Sequence, residues 1–304
     1  MSPDDMLIIK VPASTANLGP GFDSVGLALS LYITLEVEQA DRWEVIPLSE
    51  ELKAFPSDES NMMISIALNT AKQFGKTLPP CQVRVKSDIP LARGLGSSAS
   101  AIVAGIELAN YLAKLGLTKE EKLELATKIE GHPDNVGASI FGGLVIGSMS
   151  KEGTELVHAS NVNFDVVAVV PSEELLTKEA RGVLPDQMPF YDSVQAGSVS
   201  NVMIAALLSG NLRLAGKMMS KDLYHQPYRK KLVPHLEELE EHAPKLGAYG
   251  VALSGAGPTV MCMTESGKGK ELLNRLKQQL PQLHYLYLTV DQEGSISTFK
   301  RKVK

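Results

Sequence analysis

The chain has few cysteines, which cross-link small secreted proteins, and it has no long apolar run of the kind that crosses a membrane. Its 304 residues include only two cysteines and one tryptophan, and aromatic residues make up 5%. Two cysteines cannot build a disulfide framework, so the fold must be held by a hydrophobic core. No apolar run is long enough to span a bilayer, and nothing resembles a signal peptide. We therefore expect a cytoplasmic protein without a membrane partner.

The chain also lacks an excess of positive charge. It has 30 Lys and Arg against 35 Asp and Glu, for a formal net charge of −5. Nucleic-acid-binding surfaces are basic, so we expect no nucleic-acid partner. The basic residues at 300–304 are predicted to be a solvated tail. The hydrophobic and charged fractions, 44% and 21%, are ordinary for a globular protein, and the length allows two domains.

What the chain does contain is a glycine-rich stretch at residues 90–105, with the sequence PLARGLGSSASAIVAG. Gly94 and Gly96 lack a Cβ, so the backbone can turn tightly and approach a ligand. Ser97 or Ser98 is predicted to cap the helix that follows. The free amides at the start of that helix suit a phosphate, and the hydroxyls could help to ligate a Mg²⁺ ion. Two glycines alone are equally compatible with a capped helix that binds nothing.

A dinucleotide site is the main rival interpretation of this stretch. Gly94, Gly96 and Ala99 have the spacing of the dinucleotide fingerprint. That motif needs a buried strand just before it and an acidic residue at the end of a second strand about 20 residues later. Here Pro90 and Arg93 precede the glycines, and a helix end followed by another helix is predicted near residue 115. The context therefore argues against a dinucleotide site.

Patterns of strands and helices alternate along the rest of the chain. Strict alternation over residues 27–37 predicts a long half-buried strand, and residues 43–46 are predicted to be its antiparallel neighbour. Thr118 and Glu121 form a capping-box pattern at the start of a helix. A strongly apolar helix is predicted over residues 192–208, and residues 285–290 are predicted to be the last strand. The pattern indicates an α+β fold with a domain boundary near residue 160.

Three further segments are rich in small and polar residues. They are PASTANLGPGFD at residues 12–23, EGHPDN at residues 130–135 and LSGAGPTV at residues 253–260. Each can be explained as an ordinary turn, since Gly, Pro, Asn and Asp all favour turns. Polar groups held in loops between regular elements also frequently form binding sites. His132 precedes Pro133, and we expect a structural role for it.

The segments 12–23, 90–99 and 253–260 together resemble the three motifs of the GHMP kinases, which phosphorylate small alcohols such as galactose, homoserine and mevalonate. The resemblance spans nearly the whole chain, and the intact GLGSSA is its most specific part. It implies a two-domain α+β GHMP fold. Residues 1–160 would be an ATP-binding part like ribosomal protein S5 domain 2. Residues 161–304 would be a ferredoxin-like part that completes the substrate site.

Within that family the segments 130–135 and 225–229 (HQPYR), and a helix containing Thr177 and Arg181, are similar to the branch that acts on homoserine. The resemblance implies phosphoryl transfer from ATP to the hydroxyl of L-homoserine, giving O-phospho-L-homoserine on the route to threonine. It implies Mg²⁺ as the metal, and it is compatible with a homodimer. A sensor that binds ATP and a small ligand without turnover, or a kinase of another small alcohol, are the alternatives.

The resemblance also implies a role for each matching residue. Arg181 and Arg229 suit the substrate carboxylate, because a guanidinium can hold it with two parallel hydrogen bonds. Asp23 suits the ammonium or the hydroxyl, and Asn17 and Asn135 can hydrogen-bond polar groups without adding charge.

Ser98 and Glu130 would complete the Mg²⁺ coordination beside the triphosphate. The predicted catalytic residues are Asn17, Asp23, Ser98, Glu130 and Asn135. The predicted nucleotide-binding residues are Asn61, near the adenine, and Pro90, Leu91, Ala92, Arg93, Gly94, Leu95, Gly96, Ser97, Ser98, Ala99 and Ser100. Related kinases of mevalonate and galactose use an aspartate with a basic partner where this chain has Asn135 and small residues, so the proton acceptor stays open.

Overall fold

The structure, a computed structural model, describes residues 5–301 of the chain. The strands are β1 (Asp5–Asn17), β2 (Gly21–Gln39), β3 (Glu44–Pro47), β4 (Cys81–Ser87), β5 (Leu144–Ser150), β6 (Gly153–Ala159), β7 (Phe164–Val169), β8 (Gly250–Leu253), β9 (Val260–Glu265), β10 (Tyr285–Thr289) and β11 (Ile296–Arg301). The helices are α1 (Met62–Gln73), α2 (Ser97–Leu112), α3 (Lys119–Glu130), α4 (Pro133–Phe141), α5 (Thr177–Gly182), α6 (Phe190–Leu208), α7 (Leu212–Met219), α8 (Gln226–Arg229), α9 (His235–Leu246) and α10 (Gly269–Gln279). Short 3₁₀ helices lie at Glu50–Ala54 and Lys230–Leu232. The predicted α+β class is confirmed.

The first sheet has seven strands and is built around β2. This strand alternates apolar and polar residues over most of its length, so one face is buried against helices. It pairs with β1 along one edge, and with β5 and then β4 along the other. The prediction that residues 43–46 pair with β2 is wrong. β4 already occupies that edge of β2, so β3 adds in parallel to the far side of β4.

The last strand returns to this first sheet. β11 pairs antiparallel with β1, so the prediction that residues 285–290 form the last strand is wrong. The sequence of β11, ISTFKR, is short and polar, as is common for an edge strand, and its periodicity gives little signal. Lys300 and Arg301 of the predicted basic tail belong to this strand, and residues 302–304 lie outside the described part of the chain. The first sheet therefore combines strands that end at Ala159 with one from the far end of the chain.

The second sheet has four antiparallel strands in the order β10-β7-β9-β8. Every residue of β7 is buried, which explains its nearly continuous apolar sequence. Leu236 and Leu239 of α9 and Leu272 and Leu276 of α10 are buried in the core on one side of this sheet. Within residues 5–301, each helix is too short or too polar to cross a membrane.

Local helix signals are confirmed where they depend on neighbouring residues alone. The Thr118 hydroxyl accepts from the Glu121 N–H at 3.2 Å, and the Glu121 carboxylate accepts from the Thr118 N–H at 2.9 Å. This is the predicted capping box at the start of α3. The apolar helix predicted over residues 192–208 is α6, which begins two residues earlier.

Candidate active site

The glycine-rich loop before α2 depends on both of its glycines. Gly94 and Gly96 have φ angles of 76° and 69°, in the left-handed region. A Cβ on Gly94 would lie 2.3 Å from the Ser254 carbonyl oxygen, and one on Gly96 would lie 2.2 Å from the Ser14 hydroxyl. The prediction that a serine caps α2 is wrong, because Gly96 is the N-cap residue and no side chain caps the helix. Ser97 and Ser98 lie in the first turn instead, where their hydroxyls face a cavity.

The segments at residues 12–23, 90–99 and 253–260 meet at this loop. The Ser254 hydroxyl lies 2.6 Å from the Gly94 carbonyl oxygen and 2.8 Å from the Thr15 hydroxyl. The Asn17 side chain donates to the Gly255 carbonyl at 3.0 Å and accepts from the Asp23 N–H at 3.0 Å. The three hydrogen bonds to Ser254 and Gly255 join residues that are 160 to 239 positions apart in the sequence. The three segments therefore form one structural unit.

A polar cavity of about 160 Å³ opens beside this unit. Every side chain that was predicted to bind substrate, to act in catalysis or to ligate a metal lines it: Asn17, Asp23, Ser98, Glu130, Asn135, Arg181 and Arg229. Sequence reasoning did not assign seven further lining residues to the site, namely Ala16, Phe22, His132, Asp134, Thr177, Gly255 and Ala256. All seven lie in segments that the sequence analysis had singled out, and that placement was the available signal.

A larger and mostly apolar cavity of about 640 Å³ adjoins the first one. The two cavities share Ala92, Ser97 and Ser98, so the glycine-rich loop separates them. Asn61 and Leu91 line the larger cavity. The Asn61 side chain also caps α1, since it accepts from the Met63 N–H at 3.1 Å. An apolar pocket beside a helix N-terminus is suited to a flat base with an attached phosphate chain.

Some residues of the predicted nucleotide-binding run line neither cavity. Leu95, Ala99 and Ser100 are buried, and Pro90 and Arg93 lie outside both cavities. The Arg93 guanidinium donates to backbone carbonyls of Leu91, Pro171 and Ser172 and so fixes the loop against the segment after β7. These residues shape the loop through the backbone.

Two arginines and a phenylalanine lie close together in the wall of the polar cavity. Arg181 makes a bidentate ion pair with Asp23, at 3.0 and 2.8 Å. Arg229 is only 2% exposed, and it donates to the carbonyls of Ala180 and Gly255 at 3.0 Å each. The two guanidinium carbons lie 5.6 and 5.4 Å from the Phe22 ring centroid. Burial and the charge of Arg181 lower the pKa of Arg229 to about 10, so it stays charged at neutral pH.

Beside these arginines the cavity wall is acidic, and Asp23, His132 and Asp134 form what we call its acidic end. Ligand atoms of Asp23, His132 and Asp134 all lie within 4.8 Å of one another. The His132 Nδ1 lies 2.6 Å from an Asp134 carboxylate oxygen. Burial lowers the pKa of His132, but the hydrogen bond and charge of Asp134, with the charges of Glu130 and Asp23, more than offset this and raise it. This end of the cavity favours a bound cation.

Ser98 and Glu130 lie between the acidic end and the glycine-rich loop. The Ser98 hydroxyl donates to a Glu130 carboxylate oxygen at 3.4 Å. Burial is the main cause that raises the pKa of Glu130 above its ordinary value, and the charge of His132 opposes it. A hydroxyl and a carboxylate that line the same cavity are oxygen ligands of the kind Mg²⁺ prefers.

Two family models match this chain. The model of the GHMP kinase N-terminal domain matches residues 61–143, and that of the GHMP kinase C-terminal domain matches residues 203–282. The chain belongs to the GHMP kinases. This GHMP kinase is 52% identical to the homoserine kinase of Bacillus pumilus over 297 residues, which cover 97% of this chain and 96% of that protein. It is 53% identical to the homoserine kinase of Shouchella clausii, over 90% of this chain and 92% of the relative.

Solved structures agree with this assignment. A structure from Listeria monocytogenes that is named as a homoserine kinase has 43% identity and a TM-score of 0.84, and the match covers 96% of this GHMP kinase and 99% of that chain. A mevalonate kinase structure has 19% identity and a TM-score of 0.70, over 94% of this chain and 99% of that one. At that identity the second match indicates the shared fold alone. The fold expected from the sequence is confirmed.

Proposed function

We propose that this GHMP kinase is a homoserine kinase, which transfers the γ-phosphoryl group of ATP to the hydroxyl of L-homoserine. The products would be ADP and O-phospho-L-homoserine, a step toward threonine that would take place in the cytoplasm. One observation carries the proposal. The polar cavity brings two arginines next to a cluster of acids, and the glycine-rich loop before α2 lines the same cavity. An amino acid that carries an ammonium, a carboxylate and a hydroxyl matches this arrangement.

The carboxylate of homoserine would bind between Arg181 and Arg229. Each guanidinium can hold a carboxylate oxygen, and their carbons lie 5.6 and 5.4 Å from the Phe22 ring centroid, so one carboxylate can meet both. The ammonium would bind at Asp23 and Asp134. In the free protein Asp23 and Arg181 neutralise each other. A zwitterion can separate this pair without leaving either charge alone, because its ammonium takes Asp23 while its carboxylate takes Arg181.

ATP would lie across the glycine-rich loop. The triphosphate would meet the first amides of α2 and the backbone at Gly94 and Gly96, where the helix dipole favours an anion. The adenine would lie in the apolar cavity, near Asn61. Ser98 and Glu130 would hold Mg²⁺, which neutralises charge on the phosphate oxygens when bound. The terminal phosphate would then face the acidic end of the polar cavity, which also receives the substrate.

The substrate hydroxyl would be oriented by Asn17, Asp23 and Asn135. The Asn135 oxygen already accepts from the Ser14 hydroxyl at 3.0 Å, which fixes the direction of its amide. Asn17 keeps one N–H and one lone pair beyond its hydrogen bonds to Gly255 and Asp23. Phosphoryl transfer passes through a loose transition state that needs little push from the nucleophile. We propose that the hydroxyl proton passes to the phosphate oxygens as transfer proceeds, without a dedicated carboxylate base.

The Asp23→Asn variant tests this proton path. Both Asp23 oxygens are held by Arg181, which suits a charge that pairs with the ammonium. We expect Asp23→Asn to raise KM for homoserine by about tenfold or more, since a charge-assisted hydrogen bond is lost. The profile of kcat from about pH 5 to about pH 9 should keep its shape. If the variant abolishes both an acidic limb of that profile and nearly all turnover, Asp23 is a general base and the proton path is wrong.

The activity is tested by ADP release with Mg-ATP. Homoserine, mevalonate, galactose and shikimate are compared with a control that lacks an acceptor. We expect a signal above that control for homoserine. The same signal with every acceptor would indicate plain ATP hydrolysis. ATP binding without turnover of any acceptor would favour the sensor alternative. The presence of Ser98, Glu130 and both arginines in one cavity argues against that alternative.

We also propose that the protein forms a homodimer through α6. Its nineteen residues carry a single charged side chain, Asp192, and its outer face exposes Phe190 by 85% and Tyr191 by 77%. Val194 and Val202 are also exposed, together with the uncharged polar residues Gln195, Ser198 and Asn201. The helix is about 28 Å long. An uncharged face of that length can pair with its own copy about a twofold axis without like-charge repulsion.

Replacing Val202 by glutamate should disrupt such a dimer, because two carboxylates would be buried against apolar surface. By light scattering after gel filtration, we expect the wild type at about twice its chain mass of 32.7 kDa and Val202→Glu at the chain mass itself. Phe74→Glu is the matched control, since Phe74 directly follows α1, which packs on α2, and its side chain is also exposed. Identical masses for wild type and Val202→Glu would exclude α6 as the interface.

A further inference from the structure

The HQPYR segment contains a buried histidine to which the proposed function gives no role. His225 is completely buried, and it precedes α8, the short helix that carries Arg229. Its backbone is fixed by Asp222, whose carboxylate accepts from the N–H groups of Tyr224, His225 and Gln226 at 2.7, 3.1 and 2.7 Å. A buried imidazole held this firmly has a defined orientation, so each ring nitrogen has a defined partner.

The partners of the two ring nitrogens require one tautomer. Nε2 lies 2.9 Å from the Gly19 carbonyl oxygen and 3.4 Å from an Asp222 carboxylate oxygen, and both of these only accept. Nε2 therefore carries the proton. Nδ1 lies 3.1 Å from Nη1 of Arg229, and a guanidinium only donates. Nδ1 therefore accepts, and the ring is neutral. Burial and the charge of Arg229 support the neutral form, since they hold the pKa of His225 below its ordinary value although Asp222 opposes them.

His225 thereby completes the set of acceptors that orient Arg229. The Ala180 carbonyl takes Nε–H, and the Gly255 carbonyl and His225 Nδ1 take the two N–H groups of Nη1. Within residues 5–301, no acceptor is recorded for Nη2 of Arg229, and the residue lines the polar cavity. The pair of donors on Nη2 is thus left for a ligand. A rotation of the guanidinium about its stem would break all three hydrogen bonds at once.

The imidazole ring of His225 also connects Arg229 to the segment at residues 12–23. It stacks on Phe22, with ring centroids 5.3 Å apart and planes at 25°, and Phe22 in turn lies beneath both guanidiniums. Gly19 and Phe22 flank the turn that leads to Asp23. His225 therefore contacts Arg229 directly, and it contacts Gly19 and Phe22 on the segment that leads to Asp23.

We propose that His225 is a positioning residue for the substrate carboxylate, acting through its neutral Nδ1 on Arg229. This role rests on the proposed function, because it assumes an acceptor with a carboxylate. His225 does not touch the nucleotide cavity, so its loss should affect homoserine binding far more than ATP binding.

The test compares two substitutions of different chemistry. His225→Phe keeps the ring that stacks on Phe22 but removes both hydrogen bonds, and we expect KM for homoserine to rise about tenfold while KM for ATP and kcat change less than about twofold. His225→Gln keeps a donor and an acceptor, and we expect a smaller rise in KM. His235→Phe is the matched control, because this histidine binds the Pro258 carbonyl at 3.0 Å and does not contact Arg229. We expect the control to leave KM for homoserine unchanged.

A double-mutant cycle with Arg229→Ala separates positioning from general stability. If His225 acts through Arg229, His225→Phe should raise KM no further in the Arg229→Ala background. Multiplied effects in the double variant would overturn the proposal, as would an unchanged KM in His225→Phe with only a lower melting temperature. If His225→Phe does not fold, His225→Gln replaces it in the double-mutant cycle with Arg229→Ala. If the wild type does not phosphorylate homoserine, the proposed function is wrong. If the wild type is active and His225→Phe has the same KM for homoserine, this inference alone is wrong.

Discussion

Replacing Arg229 by alanine is expected to raise KM for homoserine by at least about 30-fold, the equivalent of about 2 kcal/mol, and to leave KM for ATP within about twofold. The guanidinium is buried, so the carboxylate that loses it cannot be compensated by water. Steady-state kinetics with each substrate varied at saturation of the other would measure both constants. Arg229→Lys should rescue little of the loss, because a single ammonium cannot replace the three separate hydrogen bonds that orient the guanidinium.

The same substitution also tests stability, since it removes the guanidinium donor from the Ala180 carbonyl and from His225 Nδ1, and one of two donors from the Gly255 carbonyl. We therefore expect Arg229→Ala to lower the melting temperature, whereas Arg181→Ala, whose side chain is 40% exposed, should lower it less. Arg181→Ala should still raise KM for homoserine strongly. Arg275→Ala, which removes an exposed arginine paired with Glu271, is the control for loss of positive charge alone. Equal rises in KM for homoserine and for ATP after either site substitution would indicate that the arginines maintain the fold rather than bind a carboxylate.

The sequence carried enough information to predict the parts of the site that depend on local backbone chemistry. Gly94 and Gly96 were predicted to allow a close approach, and both have left-handed φ angles with no space for a Cβ. The capping box at Thr118 and Glu121 is another such case. The serine cap of α2 failed for a reason of the same kind, because the left-handed Gly96 takes the N-cap position itself and moves both serines into the helix.

Features that depend on contacts between distant segments could not be predicted in this way. Phe22 gains its importance from three partners that lie more than 150 residues away in the sequence, one histidine and two arginines. His132 was interpreted as part of a turn because of Pro133, whereas the structure puts its ring against Asp134 at the wall of the cavity. The strand β11 returns to β1 across the whole chain, which no local periodicity records. The residue types were visible, but their neighbours were set by the fold.

The arrangement of charges explains why the charged side chains of the site are stable before the substrate binds. In the free protein each charged group has a partner of opposite sign or a backbone acceptor: Arg181 has Asp23, His132 has Asp134, and Arg229 has two carbonyls and a neutral imidazole. Glu130 has the hydroxyl of Ser98 and the nearby charge of His132. A ligand with a single charge would break an ion pair and leave one member exposed in the cavity. A zwitterion exchanges one pair for two, which favours amino acids over sugars or simple carboxylates.

The charge of Glu130 leads to the other large expected effect. Replacing Glu130 by glutamine should lower kcat by about 100-fold and raise the Mg²⁺ concentration needed for half-maximal activity, because the amide keeps the shape of the side chain but not its negative charge. Ser98→Ala should act in the same direction and less strongly, since a neutral hydroxyl contributes less than a carboxylate to holding a divalent cation. The measurement is a Mg²⁺ titration of kcat at saturating ATP and homoserine for wild type and both variants.

Glu124→Gln is the matched control, because this carboxylate also lies on α3 but pairs with Lys128 at the surface. It should leave the Mg²⁺ titration unchanged. KM for homoserine should change little in Glu130→Gln, since the arginines and Asp23 that are proposed to hold the amino acid remain in place. A titration midpoint that is the same in wild type, Ser98→Ala and Glu130→Gln would remove both residues from the metal site. A fall in kcat without any shift of the midpoint would instead assign Glu130 to the electrostatic balance of the acidic end, beside His132 and Asp134, because the metal would then bind equally well without its charge.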